Sequence, residues 1–96
     1  MKFQRGKKAV TTAGTPLALG TSAILVKTIV IKARDANTGK VFPGDSTVNN
    51  TDSEQGLNPG DSLTVTWPDG DLGSLGDMYV DAAVNGEGVV FWYLGR

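Results

Sequence analysis

The chain has 96 residues, which allows one domain near the lower end of what folds unaided. It contains no cysteine and no histidine, which excludes disulfides, thiolate zinc sites, thiol catalysis and every nucleophile system that relies on an imidazole base. The net charge of −1 hides an asymmetry: residues 1–8 carry Lys2, Arg5, Lys7 and Lys8 with no acid, and the remainder holds five basic and ten acidic residues. A basic segment ahead of an acidic body reads either as an arm that docks on something negative or as a solvated terminus. We set residues 1–8 apart as an extended basic arm and assign residues 9–96 to a folded domain.

In chain order, Lys8–Ala13 is rich in valine and threonine and predicts a first strand. Gly14-Thr15-Pro16 breaks it, and Pro16 to Ser22 predicts a loop. Ile24–Arg34 is the strongest strand signal, with Leu25, Ile29, Ile31 and Ala33 on one face and Thr28, Val30 and Lys32 on the other. Lys27 interrupts the apolar face, which places the start of this strand at a sheet end or edge. Asp35–Gly39 reads as a hairpin loop in which Asn37 and Gly39 can take left-handed conformations. Lys40–Phe42 is a short strand that Ser46–Val48 can continue, and Asn49–Gln55 is a polar exposed loop.

The tetrapeptide Pro-Gly-Asp-Ser occurs twice, from Pro43 and from Pro59. Proline presets φ at the second position of a tight turn and glycine supplies positive φ at the third. The second copy predicts a turn over Asn58–Asp61 that launches Ser62–Trp67, where Leu63, Val65 and Trp67 alternate with polar residues. The first copy puts a proline beside a strand, and the missing donor argues for an edge position. Pro68–Gly76 is a glycine- and aspartate-rich connection. Asp77–Asp81 predicts a strand with Met78 and Val80 on one face, and Asn85–Gly88 a tight hairpin connection. Val89–Leu94 is apolar on both faces, so Val90, Trp92 and Leu94 need a cover, either the loop at Pro16–Gly20 or another protein. No segment keeps a helical period. The expected class is all-β: a small antiparallel β-sandwich of six or seven short strands.

Few groupings of residues suggest chemistry. Asp69, Asp71 and Asp77 lie among glycines but lack the spacing and closing glutamate of a calcium loop. Asp77 and Asp81 are the one carboxylate pair that could be nominated for hydrolysis, and an acidic surface supplies such pairs without a cleft. Trp67 and Phe91 fall at strand spacing and are expected in the core. Trp92 and Tyr79 are the aromatics that could stack on a glycan. No cofactor or metal site is expected, and the expected function is not enzymatic. Residues 9–19 lack the sustained apolar core of a signal peptide and no run is long enough to span a bilayer, so no membrane partner is expected. The scattered basic residues of an acidic body do not suggest nucleic acid.

The order of the turn motifs carries a resemblance. Ile31-Lys-Ala-Arg-Asp-Ala-Asn-Thr-Gly39 is followed by Lys-Val-Phe-Pro-Gly-Asp-Ser-Thr-Val48. Then come Gly56-Leu-Asn-Pro-Gly60-Asp-Ser-Leu63 and the ending Met78-Tyr-Val-Asp81…Gly86-Glu-Gly-Val89. From Val10 to Leu94 this series resembles small β-sandwich virion proteins of tailed bacteriophages. Pro43, where those chains carry an aliphatic or aromatic residue, and the basic segment lie outside the shared pattern. The resemblance implies a virion structural protein made in the host cytoplasm, most simply a decoration (cement) protein. Such a protein would bind outside the major capsid shell, with other virion proteins and further copies of itself as partners. It implies no catalytic residues. The residues expected to meet a partner are Lys2, Arg5, Lys7 and Lys8 of the arm with Val90, Trp92 and Leu94. The alternative role is a tail, baseplate or fibre component, or a glycan-binding module that recognises a host surface.

Overall fold

The computed structural model describes residues 2–95, and Met1 and Arg96 lie outside them. Eight strands form: β1 Lys2–Ala9, β2 Leu17–Ala18, β3 Leu25–Ala33, β4 Val41–Gly44, β5 Ser62–Thr66, β6 Gly73–Ser74, β7 Tyr79–Ala82 and β8 Gly88–Gly95. They build two antiparallel sheets. The larger runs β1-β8-β3-β5, with β6 also pairing with β3, and the smaller runs β2-β7-β4. The chain is therefore the small all-β sandwich that the alternating pattern predicts.

The core lies between the sheets. Ile29, Ile31 and Ala33 of β3 and Val89, Phe91 and Tyr93 of β8 pack against Val41, Val80 and Ala82 of the smaller sheet. The periodicity of β3 is broken once. The pairing with β8 slips between Val26 and Thr28, leaving Lys27 as the extra residue of a bulge. The slip puts Val26, not Leu25, in the core at 0% exposure and frees Lys27 to reach Asp69 at 3.4 Å. Of the sheet end or edge expected for Lys27, the edge is not found, since β3 is central and has β8 on one side and β5 and β6 on the other; a bulge near the start of β3 releases the side chain instead.

The segment set apart as an arm is extended but is not separate. Lys2 to Ala9 pairs residue by residue with Gly95 to Gly88, so a boundary at residue 8 falls inside one strand. Gly6 makes this docking possible, because a Cβ there would sit 2.6 Å from the Phe91 ring. The strand expected at Lys8–Ala13 consequently begins earlier and ends at Ala9, where the chain turns into the corner at residues 11–15. The loop at Pro16–Ser22 contains β2, paired with β7 through Leu17 and Val80. Ser46–Val48 does not continue β4. It belongs to a turn closed by Val48 N–H donating to the Asp45 carbonyl at 3.1 Å.

The turn chemistry divides. Gly60 adopts φ +86° and Asp61 N–H donates to the Asn58 carbonyl at 2.9 Å, as a Pro-Gly turn requires. Pro43 sits on β4, an edge strand of the smaller sheet, where its absent donor costs no ladder bond. The connections at 35–39 and 83–87, in contrast, are not hairpins. Each carries the chain from one sheet to the other, and neither Asn37 nor Gly39 has positive φ.

Candidate interaction surface

The two sheets differ in what covers their outer faces. On the smaller sheet Val41, Val80 and Ala82 point into the core, and their neighbours Phe42 and Asp81, which pair with each other, are buried too. The corner at residue 14 and the 45–57 excursion provide this cover. Gly14 N–H donates to Asp81 Oδ1 at 2.9 Å, Asn50 Nδ2 donates to the Ala82 carbonyl at 3.1 Å, and a Cβ on Gly56 would meet the Phe42 ring at 2.8 Å. The larger sheet has no such cover among the described residues.

Its outer face is built by alternation on three neighbouring strands. Phe3, Arg5 and Lys7 of β1 stand opposite Leu94, Trp92 and Val90 of β8, which stand opposite Thr28, Val30 and Lys32 of β3. Phe3 is 70% exposed and Leu94 38%, with Val90, Trp92 and Val30 half-buried. The result is an apolar stripe through Phe3, Leu94, Trp92, Val90 and Val30, flanked by Arg5, Lys7 and Lys32. Among the described residues the ion pairs are Lys27–Asp69 and Lys32–Asp35, so neither Arg5 nor Lys7 is neutralised by any of them. A cleft of about 490 Å³ lined by Arg5, Gly6, Lys7, Val90, Phe91 and Trp92 lies at this end of the sheet.

Of the partner-facing residues expected from the sequence, Arg5, Lys7, Val90, Trp92 and Leu94 come together on this face. Lys2 and Lys8 do not. They share a face of β1 with Gly6, where a Cβ would meet the Phe91 ring, and with Gln4, whose Oε1 accepts from the Tyr93 hydroxyl at 3.1 Å, so they project on the inner side of β1. The Pro16–Gly20 loop lies on the smaller sheet and covers none of Val90, Trp92 or Leu94. The sequence pattern missed Phe3 and Val30. The doubled apolar pattern of residues 89–94 was the available signal for an apolar outer face, but it does not name the neighbours that extend it, since Arg5, Lys7, Thr28 and Lys32 stand beside the same strand.

The other candidate groupings separate. Trp92 and Tyr79 fall in different sheets, so they form no shared stacking platform. Phe91 is core at 3% exposure, and Trp67 packs half-buried against the core with its ring over Gly73. Asp77 is exposed, whereas Asp81 is fully buried with Oδ1 accepting from Gly14 and Ala82 N–H and Oδ2 unpartnered. That pair therefore does not flank a common cleft. No cluster of three or more acidic side chains suited to a metal ion occurs among the described residues, and no helix there is long and apolar enough to cross a membrane.

The fold and this face define a class: a small antiparallel β-sandwich with one sheet covered by its own loops and one left open. Comparison of the chain with family models, curated proteins and solved structures found no match.

Proposed function

We propose that the protein is a virion structural component of a tailed bacteriophage, a decoration protein held on the outside of the capsid shell through the open face of its larger sheet. The observation that carries the reading is the stripe of Phe3, Val90, Trp92, Leu94 and Val30 edged by Arg5 and Lys7, which form no ion pair among the described residues. Contiguous exposed apolar surface with aromatic and arginine side chains is the composition of an interface centre. The resemblance in turn order from Val10 to Leu94 supports the choice of a particle as the partner. In this reading Trp92 and Leu94 supply the apolar burial, and Arg5 and Lys7 meet carboxylates of the shell, so that attachment weakens as salt rises.

Point substitutions on the face are the appropriate test, because removing residues 1–8 would strip β1 from the sheet as well as removing charge. Purified protein is mixed with shells lacking it and pelleted. Trp92→Ser and Leu94→Ser are expected to weaken binding by at least about tenfold each, the cost of losing a central apolar anchor. Val84→Ser, which removes an exposed apolar side chain on the 83–87 turn, outside the strands that build the face, is expected to leave binding unchanged. Equal binding by all three variants would overturn the proposal.

A further inference from the structure

The larger sheet has two open edges, and they are made differently. At β1, Val10 N–H donates to the Glu87 carbonyl at 2.8 Å and the Val10 carbonyl accepts from Gly86 N–H at 2.7 Å, which fixes the phase of the ladder. The Gly88 carbonyl, opposite Ala9, is turned away to Arg34 N–H at 3.2 Å, in agreement with that phase. Antiparallel pairing alternates, so the N–H and C=O groups of Phe3, Arg5, Lys7 and Ala9 face the open side. At β5, Ala33 N–H donates to the Asp61 carbonyl at 2.8 Å and Trp67 N–H to the Lys27 carbonyl at 3.0 Å. By the same alternation, Ser62, Thr64 and Thr66 present their backbone groups outward.

The two edges are complementary in three respects. Successive antiparallel neighbours from β1 through β8 and β3 to β5 give β1 and β5 opposite directions, so β1 of one copy laid beside β5 of another continues an antiparallel sheet. On both strands the residues with open backbone groups also carry their side chains on the outer face, so pairing keeps inner and outer faces continuous. The charges agree as well: β1 carries Lys2, Arg5, Lys7 and Lys8, whereas β5 is uncharged and is flanked by Asp61 and Asp69. Lysines on an edge strand discourage addition of another strand. Here they discriminate, because they repel a second β1 and not a β5 edge.

We infer that the chain self-associates head to tail, β1 of one copy pairing antiparallel with β5 of the next. The register that uses the whole of β5 sets Phe3 opposite Thr66, Arg5 opposite Thr64 and Lys7 opposite Ser62. It also sets Lys8 opposite Asp61 and Gly6 opposite Leu63. Leu63, 40% exposed on the inner side, lines a cleft of about 660 Å³ with Leu57, Asp45 and Glu54, because the smaller sheet does not reach over β5. In this register the inward side chains of the incoming β1, Gln4 and Lys8 among them, lie at the mouth of that acidic cleft. The interface is heterologous, so each copy offers one donor and one acceptor edge and assembly passes beyond a dimer. The inference needs only the two edges and is independent of what the open face binds.

Sedimentation velocity on the full chain tests it. The wild type is expected to form species larger than a dimer over about a hundredfold concentration series, dissociating as salt is raised. Arg5→Pro and Thr64→Pro each delete one outward N–H at an edge, where proline is tolerated, and each variant alone is expected to be monomeric. An equimolar mixture of the two retains one intact edge of each kind and is expected to stop at a dimer. A monomeric wild type throughout the series, association by either proline variant alone, or a mixture of folded variants that stays monomeric would each overturn the inference. Should a proline variant fail to fold, a charge exchange decides: Lys8→Glu is expected to abolish association and Lys8→Glu with Asp61→Lys to restore it. Association unaffected by Lys8→Glu, or not restored by the exchange, would also overturn the inference.

Discussion

Asp81 lies near the end of β7 with its carboxylate fully buried. As a carboxylate near the end of a strand it resembles a candidate for chemistry, yet its side chain is sealed under the residue-14 corner. Its Oδ1 accepts two backbone donors, from Gly14 at 2.9 Å and Ala82 at 2.8 Å, and so ties the corner after β1 to the smaller sheet. Asp81→Ala is expected to destabilise the fold by about 1–3 kcal/mol for the buried donor at Ala82, with a further loss at part-buried Gly14. Thermal unfolding measures this, and an unchanged midpoint would contradict it. The tie was not legible in the sequence because its partners are backbone groups, one of them 67 positions away. The same holds for Asn37, which exchanges hydrogen bonds with Gly88 at 2.8 and 3.3 Å in the role a left-handed turn residue was expected to fill.

Among the elements, the strands were more legible than their connections. Alternation located β3 and β5 within a residue, since a strand with one buried face writes its period into the sequence, and a continuous apolar run located β8. The connections at 35–39 and 83–87 carry hairpin-like residues but change sheet, and turn composition does not distinguish these cases. What holds them is Glu87. Its Oε1 accepts from Gly39 N–H at 2.9 Å, and its Oε2 accepts from Thr38 N–H at 2.7 Å and the Thr38 hydroxyl at 2.9 Å. The Gly39 and Thr38 backbone donors hold the Glu87 carboxyl below the usual glutamate range, with Arg34 adding to the effect. A carboxyl depressed in the fold stabilises above its unfolded pKa, about 4.3, and that contribution disappears as pH falls through the lower folded value. Glu87→Gln is therefore expected to melt below the wild type near pH 7, with the two melting curves converging as pH falls below about 4. A gap that is constant with pH would contradict the clamp.

For the molecule as a whole, the class of fold followed from the residues and the asymmetry between its sheets did not. Both outer faces contain apolar residues, Phe42 on one and Trp92 on the other, and which is covered depends on where the 45–57 excursion travels. Nor did the charge pattern show that the basic N-terminal residues form a sheet edge, because lysine and arginine suit a solvated tail and an edge strand equally. The structure unites them in one arrangement: a sandwich with loops over one face, an apolar and basic stripe on the other, and two open edges of complementary charge. The proposed function has the open face resting on a capsid shell, and electron cryomicroscopy of the intact particle tests this. Density for this chain is expected outside the shell, with Trp92 and Leu94 turned toward the capsid surface. Density on the tail, or on the shell with that face turned to solvent, would contradict it.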